Sequence, residues 1–113
     1  MNIAVCAKSV PVSSVVMQID PNTKRMVREG VTKELDPQAA GGVEEALRIV
    51  EAQGEGTVTI VTMGRPDAVD DIRKALAMGA DRAILISDEA LAGSDTLGTA
   101  KALAAAIRKE QFD

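Results

Sequence analysis

Four short stretches carry the side chains and backbone turns that could do chemistry. Cys6-Ala7-Lys8 follows an apolar run, Asp36-Pro37-Gln38-Ala39 opens a strongly periodic segment, Met63-Gly64-Arg65 ends a β-branched run, and Ser87-Asp88 ends another. A thiol, an ammonium group, a carboxylate at a helix start and turns with accessible backbone could together hold a polar ligand. Proton-transfer chemistry has much less to work with. The chain contains no histidine and one cysteine, which excludes a histidine base, a Cys/His zinc site and an internal disulfide. Asp67, Asp70 and Asp71 cluster without metal-ligand spacing and are expected to complement the positive end of a helix, with Asp67 best placed. No metal site is expected. Neither of the glycine-rich phosphate fingerprints, G-x-G-x-x-G or G-x-x-x-x-G-K-[ST], occurs.

Each of these residues also has a purely structural reading. Cys6 in an apolar strand is expected to be an inert core residue rather than a redox thiol. Lys8 is then a solvated strand end, Asp36 an N-cap and Met63 core filler. The rest of the composition narrows the ligand further. A chain of 113 residues suits one domain and one core. That core must be aliphatic, because Phe112 is the only aromatic residue, and aromatic stacking on bases or flat rings is thereby excluded. The net charge of -4 argues against nucleic acid and anionic membrane surfaces. The opening run is too short for a secretory core and no apolar stretch reaches bilayer length, so a cytoplasmic protein without membrane insertion is expected.

The elements that must position these stretches can be read from periodicity. Residues 2–7 form a continuous apolar run, expected to be a strand buried on both faces. Two short strands are expected next, in residues 10–16 and 17–30, around the turn Asp20-Pro21-Asn22. Asp36 as N-cap, Pro37 at the first helical position and Gly54 at the exit bracket an amphipathic helix. Its inner face is Val43, Ala46, Leu47 and Val50, with Glu44 and Arg48 paired outside. Residues 57–64 give a second main strand. A helix follows that buries Val69, Ile72 and Leu76 and closes at Gly79, with Ala80-Asp81 as a tight connection. Residues 82–87 give a third buried strand, and 94–110 a last helix with the stripe Leu97, Ala100, Ala104 and Ile107, and Arg108 and Lys109 at its C-terminal end. Repeated strand-helix alternation demands an α/β fold: an open parallel sheet of three main strands with flanking helices, and a small β excursion after the first. In such a sheet ligands gather at the carboxyl ends of the strands, where all four stretches fall.

At this point three segments carry a resemblance. "VCAKSVP", "LDPQAAGGVEEALRI" and "MGRPDAVDDIRK" running on into "ALAMGADRAILISD" resemble, in order and spacing, the beta subunit of electron transfer flavoproteins, over essentially all 113 residues. The resemblance implies a Rossmann-like fold of the adenine-nucleotide hydrolase-like type and a carrier subunit with no catalysis of its own. It also implies an alpha subunit as partner, FAD held with that partner or AMP held by the beta subunit, and acyl-CoA or other dehydrogenases served through the parent complex. The adenosine-contacting places of the family fall on Cys6, on Asp36, Pro37, Gln38 and Ala39, and on Met63. Ala7, Lys8 and Gly64 adjoin them. Asp36 stands where the family usually has Asn, and Ala39-Ala40-Gly41-Gly42 replaces a segment that usually carries an acid. Two adjacent glycines inside a helix cost about 1.5 to 2 kcal/mol relative to alanines.

The family's chains continue past the equivalent of Asp113 into a fourth strand and a phosphate-gripping loop. Residues 1–113 are therefore expected to be a single domain that forms the N-terminal part of a larger one. It would hold the adenosine half of a nucleotide site and lack the phosphate half, or bind no nucleotide at all. The first strand would then be an exposed apolar edge, Phe112 the start of the next strand, and self-association of the short chain the consequence. The alternatives are a stand-alone, stress-type nucleotide-binding α/β protein and a folded fragment without function.

Overall fold

A computed structural model describes residues 1–113. In chain order its elements are β1 (Asn2–Cys6), β2 (Ser9–Pro11), β3 (Lys33–Leu35), α1 (Pro37–Gln53), β4 (Thr57–Met63), α2 (Val69–Ala77), β5 (Arg82–Ile86) and α3 (Thr96–Ile107), with 3-10 turns at Pro66–Ala68 and Glu89–Leu91. The main strands are parallel in the order β1-β4-β5, with Val5 opposite Ile60 and Ile60 opposite Ala83. This is the open parallel α/β sheet of three main strands expected from the alternation, in the Rossmann-like form that the resemblance implies. No helix is long and apolar enough to cross a membrane.

The central strand β4 is buried from Val58 to Thr62, because β1 and β5 flank it and helices cover both its faces. Its neighbours are only half-buried. β1 was expected to be covered on both faces, yet Asn2 and Cys6 are exposed and the middle of the strand is partly so, since nothing pairs along most of its outer edge. β5 is likewise half-buried rather than buried, as the other edge.

One cluster forms the core: Val43 and Ala46 of α1, Val58 and Ile60 of β4, Ala68, then Ile72 and Ala75 of α2, and Ala80. Helices α1 and α2 therefore share one face of the sheet. The termini of α1 are as expected. Asp36 accepts a hydrogen bond from the Gln38 amide at 3.0 Å, Pro37 occupies the first turn, and Gly54 closes the helix at φ 77°. The glycine pair in α1 has a packing counterpart on one side only: a Cβ at Gly42 would touch the Val5 side chain at 3.4 Å, whereas Gly41 faces open space. Outside, Arg48 pairs with Glu45 at 3.6 Å and not with Glu44; both are exposed, where such pairs contribute little.

The inner face of α2 differs from the expected one. Ala68, Ile72 and Ala75 are buried, Leu76 is half-buried, and Val69 is 38 % exposed. The chain enters the helix through a 3-10 turn, so Ala68 takes the sheet-facing position and Val69 lies about 100° further round. At the other end Met78 caps the helix and Gly79, at φ 125°, turns the chain. Asp81 then does more than connect. Its carboxylate accepts from the buried Val58 amide at 2.7 Å and its own amide donates to the Val58 carbonyl at 2.9 Å, which sets the start of β5 against β4.

Helix α3 packs on β4 and β5 across the opposite face, where Arg82 bridges Thr59 and Glu110. None of its residues is buried. Of the expected stripe, Ala104 and Ile107 are half-buried, whereas Leu97 is 62 % exposed and Ala100 is exposed; Thr99, Ala102, Leu103 and Ala106 are half-buried as well. A helix built almost wholly of alanine and small residues specifies its inner stripe weakly, and the sheet beneath decides it.

The excursion is an arm rather than the two adjacent strands expected in residues 10–30. Its base is the antiparallel pair β2 and β3, with Ser9 opposite Leu35, and a single bridge joins Ile19 to Met26 beside the expected turn at Asp20. The second strand of the base lies later in the chain than the expected one. The Asp20 carboxylate accepts from the Asn22 and Thr23 amides, which folds the tip.

Candidate functional site

Parallel strands end on one side of the sheet, so Cys6, Met63 and Ile86 lie along a common rim. The first two loops on that rim are joined by backbone. The Asp36 amide donates to the Lys8 carbonyl at 3.0 Å, and the Lys8 ammonium lies 3.7 Å from Asp36 Oδ2. Cys6-Ala7-Lys8 and Asp36-Pro37-Gln38-Ala39 therefore form one continuous surface around the N-terminus of α1. Met63-Gly64 sits one strand over and higher on the ladder, with Gly64 donating to the Ile86 carbonyl at 3.0 Å. A Cβ at Gly64 would lie 3.3 Å from Ala68, so that turn runs close over the start of the 3-10 segment. Ser87-Asp88 contributes less, because the Asp88 carboxylate is used in capping the next turn through the Ala90 amide at 2.8 Å.

Cys6 is exposed and free, contrary to the core position expected of it. The reason is its place at the open end of the outer strand. Backbone geometry also sets what Cys6 offers. Met1 and Ala7 bond across to β4, and alternation along a parallel ladder turns the amides and carbonyls of Asn2, Ala4 and Cys6 outward. The Cys6 peptide groups are thus free to meet a ligand at the rim. Asp36 is largely covered, its side chain 17 % exposed, and one of its oxygens caps α1 while the other faces Lys8. A carboxylate has about four lone-pair sites, so acceptor capacity remains beside the positive helix end.

All three acids taken as helix-dipole complements have side-chain partners: Asp70 pairs with Arg73 on its own helix at 3.1 Å, and the other two reach the arm. Asp71 is 6 % exposed and accepts from the Ser9 hydroxyl of β2 and from Lys74 at 3.1 Å. Asp67 accepts from Lys33 of β3 at 2.6 Å, with Arg65 at 3.8 Å. The hydrogen bond from Lys33 holds the Asp67 carboxyl below its ordinary range, opposed in part by desolvation and aided by the charges of Lys33 and Arg65. These carboxylates tie the base of the arm to the segment leaving β4. The available signal for Asp71 was an acid in the sheet-facing stripe of an amphipathic helix, where a polar group must find a partner. Open hollows of about 280 and 320 Å³ lie along the arm, bordered by Val15, Val27, Val31 and Met26. The second has a mostly aliphatic wall and the first sets Gln18, Glu29 and Thr32 among its valines; neither lies at a helix N-terminus, whereas the rim offers peptide groups, a helix N-terminus and a carboxylate.

Comparison with known proteins supplies the context for this rim. Residues 23–113 match the family model described as electron transfer flavoprotein domain. All 113 residues align at 50 % identity with the electron transfer flavoprotein subunit beta of Thermoanaerobacterium thermosaccharolyticum, covering 43 % of that protein. The chain is 49 % identical over its whole length to the protein FixA of Azotobacter vinelandii, covering 40 % of it. Over 110 residues, 96 % of the chain, it is 48 % identical to the caffeyl-CoA reductase-Etf complex subunit CarD of Acetobacterium woodii, covering 41 % of that subunit. The chain thus spans about two fifths of the length of these relatives.

Proposed function

Because the chain belongs to the electron transfer flavoprotein family, on its beta-subunit side, we propose that it is an electron-carrier module rather than an enzyme, binding AMP or FAD beside an alpha subunit. Acyl-CoA or other dehydrogenases are its electron donors through the whole complex, in the cytoplasm. The observation that carries this reading is the junction of the first two rim loops through Asp36 and Lys8, which gathers the outward peptide groups of Cys6 and the start of α1 into one surface.

The groups present fit an adenosine. The Cys6 and Met63 backbone reads the purine edge, and the remaining acceptor capacity of Asp36 meets the ribose hydroxyls beside the helix N-terminus. Ala7, Lys8, Pro37, Gln38, Ala39 and Gly64 shape the walls. A bound flavin supplies the redox chemistry itself. In this reading the rim of this chain meets the adenosine part of the ligand.

Calorimetric titration with AMP, ADP and FAD, with and without an electron transfer flavoprotein alpha subunit, tests the proposal. Weak AMP binding by the chain, or flavin binding that requires the alpha subunit, is the expected result. Tight ATP binding that ignores the alpha subunit would favour a stand-alone stress-type protein, and no binding under any condition would leave a folded module without a ligand. Asp36→Ala removes both the cap and the ribose acceptor and weakens AMP binding, while Asp36→Asn, which retains a capping oxygen, keeps most of it.

A further inference from the structure

Asp71 is the one buried charged residue of the molecule, among the buried positions of α2 with Ile72 and Ala75. A carboxylate taken out of water costs stability that an apolar side chain in its place would not, so stability alone does not account for it. Its partners show what it holds. Lys74 lies 3.1 Å away on the same helix and is 58 % exposed, so that pair fixes nothing outside α2. The Ser9 hydroxyl donates to the other carboxylate oxygen from β2. Ser9 pairs with Leu35 in the last rung of the arm's base, and the next residues along the two strands are Lys8 and Asp36, whose backbone bond joins the first two rim loops. Helix α2 follows on Met63-Gly64 through the 3-10 turn at Pro66–Ala68. One buried hydrogen bond thus links the joined Cys6 and Asp36 loops to the helix that the third rim loop feeds. The other link across this gap, Lys33 to Asp67, has its carboxylate 49 % exposed and is open to screening.

Resting on the adenosine reading above, we propose that Ser9 and Asp71 are positioning residues for the nucleotide. Neither touches it. Their bond sets the separation between the Cys6 peptide groups and Asp36 carboxylate on one side and the Met63 turn on the other. A nucleoside met by backbone groups on separate loops is held only as well as those loops are spaced, so a drift of about one ångström loses affinity although every contacting group is still present.

The decisive variant is Ser9→Ala combined with Asp71→Leu, which removes both partners and leaves neither unsatisfied. Urea unfolding should find it at least as stable as the parent chain, because an apolar side chain replaces a buried charge. Calorimetric titration with AMP, of the chain alone and beside the alpha subunit, should show binding weakened about tenfold, the loss of one hydrogen bond to a charged group. Ser9→Thr keeps the hydroxyl and should keep the affinity. Asp70→Ala, one residue away and paired only with Arg73 of its own helix, should leave AMP binding unchanged. Amide exchange reads the link without any ligand. In the double variant the Asp36 amide should exchange faster, while the Val58 amide, held by Asp81 at the far end of β4, keeps its rate. Unchanged Asp36 exchange overturns the link itself, whatever the chain binds. Faster exchange with parental AMP affinity overturns its role in positioning, and a double variant that loses stability and affinity in parallel makes the pair structural and overturns it too. A parent chain that binds no AMP in either setting, while Asp36 exchange still shifts, refutes the adenosine reading and the positioning of a nucleotide with it, and leaves only the coupling between rim loops.

Discussion

The two faces of the sheet are built from the same strands and end in different states. Under α1 and α2 lie eight of the nine buried hydrophobic residues, drawn from two helices, a strand and their junctions. Under α3 Val61 is the one buried hydrophobic residue, beside the buried Thr59, and the helix above contributes no buried residue. Strand composition does not account for this, because Val61 and Ile60 are neighbours on β4 and equally aliphatic. Coverage does. Two helices with Val, Ile and Leu along a stripe exclude water from one side, and a single helix of mostly alanine shields part of the other. Most of the hydrophobic stabilisation therefore resides on one side.

The sharpest test of this asymmetry is Ile60→Ala, which empties a fully buried site in the main cluster. It should cost about 3 to 4 kcal/mol in urea unfolding, enough to threaten folding in a domain of this size. Next is the entry to β4, the strand both faces share. Gly56 sits at φ 138°, and a Cβ there would lie 2.3 Å from the Met1 carbonyl, so Gly56→Ala should cost about 2 kcal/mol or more. Asp81→Ala leaves the buried Val58 amide without its acceptor and should cost about 1 to 2 kcal/mol. Leu103→Ala on the α3 face should cost only about 1 kcal/mol, since that side chain is half-buried. A loss at Leu103 as large as that at Ile60 would break the comparison.

The smallest effect is an acid-side one. The folded carboxyl of Asp67 titrates below its unfolded value, so its contribution is present above the ordinary carboxylate range and fades as pH falls through the lowered folded value. Its side chain is 49 % exposed, and solvent screening keeps the contribution small. Stability measured from neutral to acid pH should fall slightly less steeply for Asp67→Asn than for the parent chain.

What could be read in advance was mostly local. Asp36, Pro37 and Gly54 mark α1 because caps act within a few residues, and the strand-helix alternation was enough for a parallel sheet. Readings that depended on distant partners fared worse. Asp71 looked like a dipole complement, since its partner Ser9 lies 62 residues earlier, and Asp81 looked like part of a turn. Cys6 was placed in the core because it belongs to a continuous apolar run, whereas it lies at the exposed end of an outer strand. Val69 and Leu97 were misplaced for different reasons. A 3-10 turn shifted the phase of one helix, and the near-uniform composition of the other marked no inner side. Of the candidate site, the loops were legible from topology, while the backbone bond that joins two of them was not.

The arm is tied at its base by Ser9 to Asp71 and by Lys33 to Asp67, and both carboxylates belong to the stretch that leaves β4 just after Met63 and Gly64. The foot of the arm and the exit of β4 are thus moored to each other, so loosening either carboxylate would free the hairpin and slacken one wall of the rim together.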